Sequence, residues 1–445
     1  MGKYFGTDGI RGPVGTPPMA PGGMVKFASA VAAWLNESAA QNGRHLVLVG
    51  GDTRNSTPWI MDVLCGTLAG QGIDVCPMGV VSTPQLAFET AQSPASAGVM
   101  VTASHNPALD NGVKLFGRDG FKLSDDAEAA IEALMDTETG TSAPALGLGL
   151  KDHHPFEPSY LEHLSELDGI DIKGLKIVID AANGAAFRSV ETLFGKMGAD
   201  AVYIGVEPNG LNINDGVGAT HTSALSRRVI DEGAFAGVAL DGDGDRLIMV
   251  DEAGNVVDGD QLLALLAQSM QEAGKLSKNA VAATVMSNLG LERFLVELGV
   301  ALERTPVGDR HVVSAMRANG MNLGGEQSGH IVIMDSATTG DGLLAALHVL
   351  NIAAQQNRPF SEIARVFDPV PQKLVNLRFG GANPLEDQTV IAKIEDEKIR
   401  LGAQGRVLVR KSGTEPLIRI MVEAVDPSLL DQTIGRLTET IEAAV

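Results

Sequence analysis

His45-Leu-Val-Leu-Val49 opens a pattern that occurs three times along the chain: an apolar strand, a short polar loop, an apolar helix, then a Gly and a second short strand. The second copy begins at Lys176-Ile-Val-Ile179 and the third at Val281. A strand–helix–strand unit of this kind gives parallel strands joined by a right-handed crossover. The pattern therefore predicts three related α/β domains with mixed sheets.

Changes in composition divide the 445 residues into four predicted domains. Residues 137–158 are rich in Gly, Thr, Ser and Pro and are typical of a linker, residues 251–260 are a turn-rich junction, and residues 368–371 close the third unit. The order of elements then changes to strand, helix, two strands and a final helix, which predicts a small α+β domain. The expected domains are residues 1–150, 151–255, 256–368 and 369–445.

Charge and hydropathy limit the partners that the chain can have. Acidic residues outnumber basic ones 55 to 34, for a formal charge of −21, which argues against a nucleic acid or an anionic membrane as partner. An anionic ligand would need local cationic clusters, which screening over about 8 Å in physiological salt permits. There is no signal-peptide core and no apolar run near the ~20 residues of a membrane span. We expect a soluble, cytoplasmic protein with Cys65 and Cys76 as buried free thiols.

Ser104 lies in the stretch Val99-Met-Val-Thr-Ala-Ser-His-Asn-Pro107. The apolar part of this stretch predicts a buried strand, and Asn-Pro bends the chain away from it. Ser104 is thus expected on a loop at the end of a strand, where open α/β sheets bind ligands. The alternative is a serine that only hydrogen-bonds a turn. His105 is not expected to act as a base on Ser104, because adjacent side chains of an extended segment point to opposite faces.

Asp241-Gly-Asp-Gly-Asp-Arg246 brings three carboxylates together. In an extended chain Asp241, Asp243 and Asp245 lie on one side, and the glycines let the backbone curl. Carboxylates that meet at one point need a cation, and an all-oxygen ligand set favours Mg²⁺. An EF-hand loop also begins Asp-x-Asp-x-Asp, but it needs Gly where this chain has Arg246, and helices where this chain predicts strands. A solvated acidic turn without a metal is the remaining alternative.

Two further loops carry groups that suit a sugar phosphate. In Gly324-Gly-Glu-Gln-Ser-Gly-His330, Glu326 and Ser328 could bind sugar hydroxyls, although a plain Gly-rich hairpin fits equally well. The stretch from Arg410 to Arg419 contains two arginines, two hydroxyls and a Gly-opened backbone between two strands. This combination predicts a phosphate clamp in preference to a solvated basic turn.

These groups together predict phosphoryl transfer. A nucleophilic serine, a Mg²⁺ site, a sugar loop and a clamp for a second phosphate suggest a mutase in which Ser104 exchanges a phosphate with its substrate. Such a reaction needs positioning and charge neutralisation more than covalent chemistry.

Five motifs resemble those of the α-D-phosphohexomutase family and occur in the family's order along the whole chain. They are Phe5-Gly-Thr-Asp-Gly-Ile-Arg-Gly12, Thr102-Ala-Ser-His-Asn-Pro107, Asp241-Gly-Asp-Gly-Asp-Arg246, Gly325-Glu-Gln-Ser-Gly-His330 and Arg410-Lys-Ser-Gly-Thr-Glu-Pro416. The first motif and Gln327 are similar to the bacterial members that act on glucosamine phosphates. Members that act on mannose or glucose phosphates, the alternative, often have Met at the position of Gln327.

The resemblance implies interconversion of glucosamine 6-phosphate and glucosamine 1-phosphate through a bisphosphorylated intermediate. It also implies four domains around a central cleft, a last domain that can hinge, a homodimer, and a role in the supply of UDP-N-acetylglucosamine for the cell wall.

The resemblance further implies roles for individual residues. Ser104 would carry the phosphate and complete one Mg²⁺ site per subunit with Asp241, Asp243 and Asp245. The expected catalytic group is Ser104, Arg11, Lys114 and His105, with Lys114 as the candidate acid or base at the sugar hydroxyl, while Arg246 pairs with the acidic cluster or the phosphate. The expected substrate-binding residues are Glu326, Ser328, His311 (in Gly308-Asp-Arg-His311), Arg410, Ser412, Gly413, Thr414 and Arg419.

Two other classes of protein share part of these features. A serine-dependent sugar phosphatase would use the metal and Ser104 but would not need the second phosphate clamp. A non-catalytic protein that binds a sugar phosphate or Ca²⁺ would not need Ser104.

Overall fold

The computed structural model describes residues 2–37, 44–137, 147–151, 159–411 and 416–444. The strands are β1 (Ile10–Pro13), β2 (Leu46–Gly51), β3 (Asp74–Val80), β4 (Ala97–Val101), β5 (Asp110–Gly117), β6 (Lys176–Asp180), β7 (Asp200–Ile204), β8 (Ala236–Leu240), β9 (Leu247–Asp251), β10 (Val256–Val257), β11 (Ala280–Thr284), β12 (Ala301–Thr305), β13 (Leu323–Gly325), β14 (Ile331–Ile333), β15 (Gln372–Arg378), β16 (Gly405–Lys411) and β17 (Leu417–Ala424). The α-helices are α1 (Pro21–Asn36), α2 (Thr57–Gly70), α3 (Thr83–Gln92), α4 (Asp125–Asp136), α5 (Ser159–Ser165), α6 (Phe187–Lys196), α7 (Ser223–Glu232), α8 (Gly259–Glu272), α9 (Leu289–Glu297), α10 (Asp309–Asn319), α11 (Gly342–Ala354), α12 (Phe360–Ala364), α13 (Gln388–Leu401) and α14 (Pro427–Glu442).

The first three sheets share one plan. Their strand orders are β1-β5-β4-β2-β3, β10-β9-β8-β6-β7 and β12-β11-β13-β14. In each sheet three strands are parallel, and the strand that follows the third parallel strand returns antiparallel beside it. The predicted α/β class with mixed sheets is confirmed, and the equivalent third strands are β4, β8 and β13.

The central strands are covered on both faces. Every residue of β4 and of β8 is buried, as expected for parallel strands between two layers of helices. The apolar cores of the second and third sheets merge, because helices α8 and α11 pack between them. The first sheet keeps a core of its own under α1, α2 and α4.

The last domain has a different architecture. Strands β15, β17 and β16 form an antiparallel sheet that packs against α13 and α14, which confirms the predicted α+β domain. Arg406 fixes this domain to the third one: its guanidinium donates to the carbonyl oxygens of Val285 (3.0 Å) and Ser287 (2.9 Å) and pairs with the fully buried Glu423.

The segments between the domains make regular backbone contacts at the residues that the structure describes. In the junction 251–260 the chain reverses at Gly254, and β10 pairs with β9, so this stretch adds a strand to the second sheet. Of residues 137–158 the structure describes residue 137 and residues 147–151. In the second of these stretches, the Gly149 N–H donates to the Ala69 carbonyl at 2.7 Å.

Cys65 and Cys76 are free and buried, as predicted. Among the described residues we find no helix whose length and apolarity would suffice to cross a membrane.

Candidate active site

Ser104 lies on the loop that follows β4. Its φ is 51°, in the left-handed region that an L-residue occupies only when its surroundings hold it there. The Ser104 N–H donates to the Thr102 hydroxyl at 2.9 Å, and the residue is fully buried. The predicted loop at the end of a strand is therefore present.

The Ser104 hydroxyl meets a carboxylate from the second sheet. Ser104 Oγ donates to Asp241 Oδ2 at 2.7 Å, although 137 residues separate the two in the chain. The loops approach so closely that a Cβ on Gly242 would lie 2.5 Å from the Ser104 carbonyl oxygen. Because no real Cβ makes so short a contact, this arrangement depends on the glycine.

The three aspartates form a buried cluster. Asp241, Asp243 and Asp245 each offer an oxygen within 4.8 Å of the others. Among the described residues, Asp243 Oδ1 and Asp245 Oδ1 are buried without a hydrogen-bond partner. Burial and the charges of the other two aspartates raise the pKa of Asp241 well above its usual value. Unpaired carboxylate oxygens in one buried place fit a divalent cation with oxygen ligands.

The carboxylates converge for a different reason from the one predicted. The loop is a turn and not an extended segment: the Gly244 N–H donates to the Asp241 carbonyl at 3.1 Å, and Gly244 has a φ of 76°. The expectation that alternation along an extended chain aligns the three side chains is therefore wrong, whereas the curl allowed by the glycines is present. Strands β8 and β9 flank the loop directly, so it is not an EF-hand.

Lys114, on β5, is part of the aspartate cluster. Its Nζ lies 2.7 Å from Asp243 Oδ2 and 3.1 Å from oxygens of both Asp245 and Asp8. Burial alone would lower the pKa of Lys114, but the three carboxylates outweigh it and raise that pKa well above its usual value. In this arrangement Lys114 is positively charged.

His105 lies close to the Ser104 hydroxyl, contrary to expectation. The distance from His105 Nδ1 to Ser104 Oγ is 3.2 Å. The prediction that the two side chains point to opposite faces is wrong, because the left-handed Ser104 breaks the extended conformation on which it rests. Burial, with the cations Arg246 and Arg11 nearby, lowers the pKa of His105 to about 4. The ring is therefore neutral at neutral pH.

Arg11 joins the cluster through Asp8. The Asp8 carboxylate pairs with Arg11, Lys114 and Lys122, and Lys122 also pairs with Asp309. These cations hold the pKa of Asp8 well below its usual value despite burial. Sequence analysis assigned no role to Asp8 or Lys122, although Asp8 lies within the motif that contains Arg11.

Arg246 links the aspartate loop to the loop of the third domain. Its backbone N–H donates to Asp241 Oδ1 at 3.2 Å, and its guanidinium Nε lies 4.0 Å from Asp245 Oδ1. Its backbone also bridges to His330, and the neighbouring Leu247 N–H donates to the Gly329 carbonyl at 2.9 Å.

Glu326, Ser328 and His311 lie together in the third domain. Glu326 accepts from the Gly308 N–H and from the Ser328 hydroxyl, each at 3.1 Å. The His311 N–H donates to the Gly308 carbonyl at 3.0 Å, at the start of α10. His311 also lines a cavity of about 570 Å³ between the first and third domains, with Lys122 and Asp309 on the same wall. The structure thus brings these three predicted ligand residues into one region.

Arg410 and Arg419 face each other across β16 and β17. Neither guanidinium group makes a hydrogen bond or an ion pair to another described residue, and Arg419 Nε is buried without a partner among them. Burial and the Arg419 charge lower the pKa of Arg410. Two opposed guanidinium groups without a carboxylate suit an anion. Ser412, Gly413 and Thr414 lie outside the described residues.

Sequence analysis also missed Thr83. Its hydroxyl donates to Asp243 Oδ2 at 2.5 Å and its N–H donates to the Asp243 carbonyl at 2.9 Å. Thr83 opens α3, so a helix start of the first domain holds the aspartate loop of the second. The pattern Ser82-Thr-Pro predicts a helix start, but nothing in the local sequence indicates that Thr83 contacts Asp243.

A substitution of Gly242 tests whether the two loops must touch. We expect Gly242→Ala to weaken binding of Mg²⁺ or Mn²⁺ about 10- to 100-fold, because the added methyl group pushes the aspartate loop away from Ser104. Isothermal titration calorimetry measures the change. The matched control is Gly195→Ala on the exposed face of α6, where a Cβ meets nothing within 4 Å. Equal cation affinity in both variants would contradict the close-contact account.

Known proteins share this architecture over the whole chain. The four family models of the phosphoglucomutase/phosphomannomutase family match in order: α/β/α domain I at residues 2–142, domain II at 158–254, domain III at 258–370 and the C-terminal domain at 374–439. The phosphoglucosamine mutase of Mesorhizobium japonicum is 46% identical over 99% of this chain and 98% of its own.

Two solved structures show the same fold. A phosphoglucomutase/phosphomannomutase family protein from Burkholderia thailandensis superposes with a TM-score of 0.82 at 23% identity, over 100% of this chain and 98% of its own. The N-acetylphosphoglucosamine mutase of Aspergillus fumigatus, solved in complex with GlcNAc-6P and magnesium, gives a TM-score of 0.69 at 20% identity, over 99% and 96% of the two chains. The chain therefore belongs to the phosphoglucomutase/phosphomannomutase family of enzymes, the α-D-phosphohexomutases, and within it is most like the bacterial phosphoglucosamine mutases.

Proposed function

We propose that the chain interconverts glucosamine 6-phosphate and glucosamine 1-phosphate, with Ser104 as the carrier of the exchanged phosphate. The observation that carries the proposal is the 2.7 Å contact of Ser104 Oγ with Asp241, inside a cluster that has two unpartnered carboxylate oxygens. The relatives named phosphoglucosamine mutase support the choice of sugar. The homodimer and the cytoplasmic location expected from the family belong to the same proposal.

The aspartate cluster is the proposed Mg²⁺ site. Asp241, Asp243, Asp245 and the phosphorylated Ser104 would hold one ion, which when bound would neutralise negative charge on the transferred phosphoryl group. Lys114 and Arg11 would add positive charge on the same side, because both pair with Asp8 beside the cluster. Thr83 would fix the orientation of Asp243 through its hydroxyl.

The reaction has two matched halves. In the first, Ser104 would give its phosphoryl group to the free hydroxyl of glucosamine 6-phosphate: the bond from phosphorus to Ser104 Oγ breaks, a bond to the sugar oxygen forms, and the hydroxyl proton passes in net terms to Ser104. The product is a sugar with two phosphates. In the second half the bond from phosphorus to the sugar oxygen of the original 6-phosphate would break, a bond to Ser104 Oγ would form, and the Ser104 proton would pass in net terms to the freed sugar oxygen. His105 would relay this proton, since its Nδ1 lies 3.2 Å from Ser104 Oγ.

The remaining residues would hold the sugar and its second phosphate. Glu326, Ser328 and His311 would bind the sugar, since Glu326 accepts hydrogen bonds from Ser328 and from the Gly308 N–H beside His311, and His311 lines the cavity between the first and third domains. Arg410 and Arg419, whose guanidinium groups have no hydrogen-bond or ion-pair partner among the described residues, would bind the phosphate that does not react. Ser412, Gly413 and Thr414 would complete this clamp by resemblance to the family motif, and Arg246 would stabilise the aspartate loop.

A comparison of substrates tests the proposed function. With Mg²⁺ and a trace of sugar bisphosphate, we expect kcat/KM for glucosamine 6-phosphate to exceed the values for mannose and glucose 6-phosphates by about 100-fold or more, because a site built to bind the amino group is left with unpaired polar groups by its analogues. Coupled assays of each 1-phosphate measure this. A preference for mannose phosphate would contradict the choice of sugar, and release of inorganic phosphate without isomerisation would indicate a phosphatase.

A serine substitution tests the carrier. We expect Ser104→Ala to abolish turnover and to remove the phosphate adduct seen by intact-mass spectrometry, since alanine cannot accept a phosphoryl group. The control is Ser226→Ala on α7, remote from the aspartate cluster. This variant should keep both the turnover and the phosphate adduct. An active Ser104→Ala enzyme would overturn the proposal.

A further inference from the structure

We propose that Arg54 and Asn214 are positioning residues for Ser104. They come from different domains and bind the same two carbonyl oxygens of the Ser104 loop, so together they set how Ser104 faces the aspartates. Neither touches Ser104 Oγ. The inference rests on the proposed role of Ser104 as the phosphate carrier.

Arg54 follows β2, and its side chain is enclosed by the loop that carries Ser104. Its Nη2 donates to the carbonyl oxygens of Ser104 (3.0 Å) and Asn106 (2.8 Å), and its Nη1 donates to those of Asp110 (3.0 Å) and Pro107. The side chain is fully buried. Four carbonyl groups of one loop therefore point at a single guanidinium group, whose planar fork fixes all four at once.

Asp52 holds Arg54 in place and reaches Ser104 by a second route. Asp52 Oδ2 accepts from Arg54 Nε and from the Thr102 hydroxyl, each at 2.8 Å. The Thr102 oxygen in turn accepts from the Ser104 N–H at 2.9 Å. The Ser104 carbonyl is thus hydrogen-bonded to Arg54, and the Ser104 N–H is linked to Asp52 through the Thr102 hydroxyl. Asp52 and Arg54 form an ion pair in which the two charges neutralise each other.

Asn214 reaches the same loop from the second domain. Its Nδ2 donates to the carbonyl oxygens of Ser104 (2.9 Å) and Asn106 (3.2 Å). Asn214 itself has a φ of 59°, and its N–H donates to the Ala182 carbonyl at 2.9 Å. The two carbonyl oxygens therefore each have one donor from the first domain and one from the second, and their two lone pairs are both used.

The hydrogen bonds from Arg54 and Asn214 explain how Ser104 is held in a strained backbone conformation. A φ of 51° is unfavourable for serine and persists only where the surroundings determine it. With its carbonyl drawn towards Arg54 and Asn214, Ser104 is left with Oγ on the side of Asp241, 2.7 Å away. A buried Arg–Asp pair alone would be weak evidence for a special role. The convergence of two domains on the same oxygens is the stronger argument.

The test is a double-mutant cycle with Arg54→Lys and Asn214→Ala. Each single variant leaves one hydrogen-bond donor on each of the two shared carbonyl oxygens, so we expect kcat to fall about 10-fold in either variant. In the double variant we expect kcat to fall about 1,000-fold or more, which exceeds the product of the two single effects. KM for the sugar phosphate should stay within about twofold, because Arg410, Arg419 and Glu326 are untouched. Mg²⁺ affinity, measured by calorimetry, should fall together with kcat.

Two controls separate positioning from loss of stability. Leu193→Ala removes a fully buried side chain of α6 and should lower the melting temperature while kcat is retained. Arg436→Lys breaks an arginine–carboxylate pair with Glu397 in the last domain and should leave the kinetics unchanged. Additive kcat losses, or losses that follow the melting temperature as in Leu193→Ala, would overturn the inference.

Two further outcomes keep the test decisive. If Arg54→Lys does not fold, Asn214→Ala alone decides: an unchanged kcat at unchanged KM would overturn the inference. A wild-type enzyme without mutase activity, or without phosphate on Ser104, would instead contradict the proposed function.

Discussion

Mutual repulsion among three buried aspartates is the constraint on which the rest of the site depends. Lys114 stabilises the charge on Asp243 and holds its pKa below the usual range, whereas Asp241 is left with its pKa raised. Without a further cation the cluster cannot hold three full charges in so little space. The Ser104 hydroxyl, which donates to Asp241, occupies the remaining side. A divalent ion bound between these oxygens, as proposed, would relieve the repulsion and would explain why the cluster is tolerated.

The fold supplies this arrangement by repetition. The loops that carry Ser104, the aspartates and Glu326 follow β4, β8 and β13, the equivalent third parallel strand of the three related sheets. The carboxyl end of such a strand is where α/β sheets present ligand-binding loops. Under the proposed function, three copies of one architecture would thus supply three different parts of the site, namely the phosphate carrier, the metal ligands and the sugar loop. Contacts such as Leu247 N–H to the Gly329 carbonyl join them directly.

Local patterns predicted most of the fold. Apolar runs bounded by Gly and polar loops indicated the positions of the strands, and the order of elements after residue 368 indicated the change of architecture in the last domain. The motif residues around Ser104 and Asp241 were found because their chemistry is concentrated in short stretches. The two-residue strand β10 was missed because Gly254 and its neighbours are typical of a simple turn.

Conformation and long-range contacts could not be predicted in this way. The position of His105 depends on one left-handed φ at Ser104, which nothing in the sequence requires. Arg54 follows an apolar strand in a polar loop, and only the folded chain shows that its donors meet four carbonyl groups that lie 50 to 56 residues away. The raised pKa of Lys114 likewise comes from three carboxylates on two separate loops.

The central claim is that phosphorylated Ser104 and the three aspartates bind one ion together. Pulsed electron–nuclear double resonance on the phosphorylated protein loaded with Mn²⁺ measures this directly, because the phosphorus of a ligating phosphate couples strongly to the metal. The account predicts a ³¹P coupling that disappears when Asp241, Asp243 or Asp245 is replaced by Asn. Tightly bound Mn²⁺ without a ³¹P coupling, or a coupling indifferent to those substitutions, would contradict it.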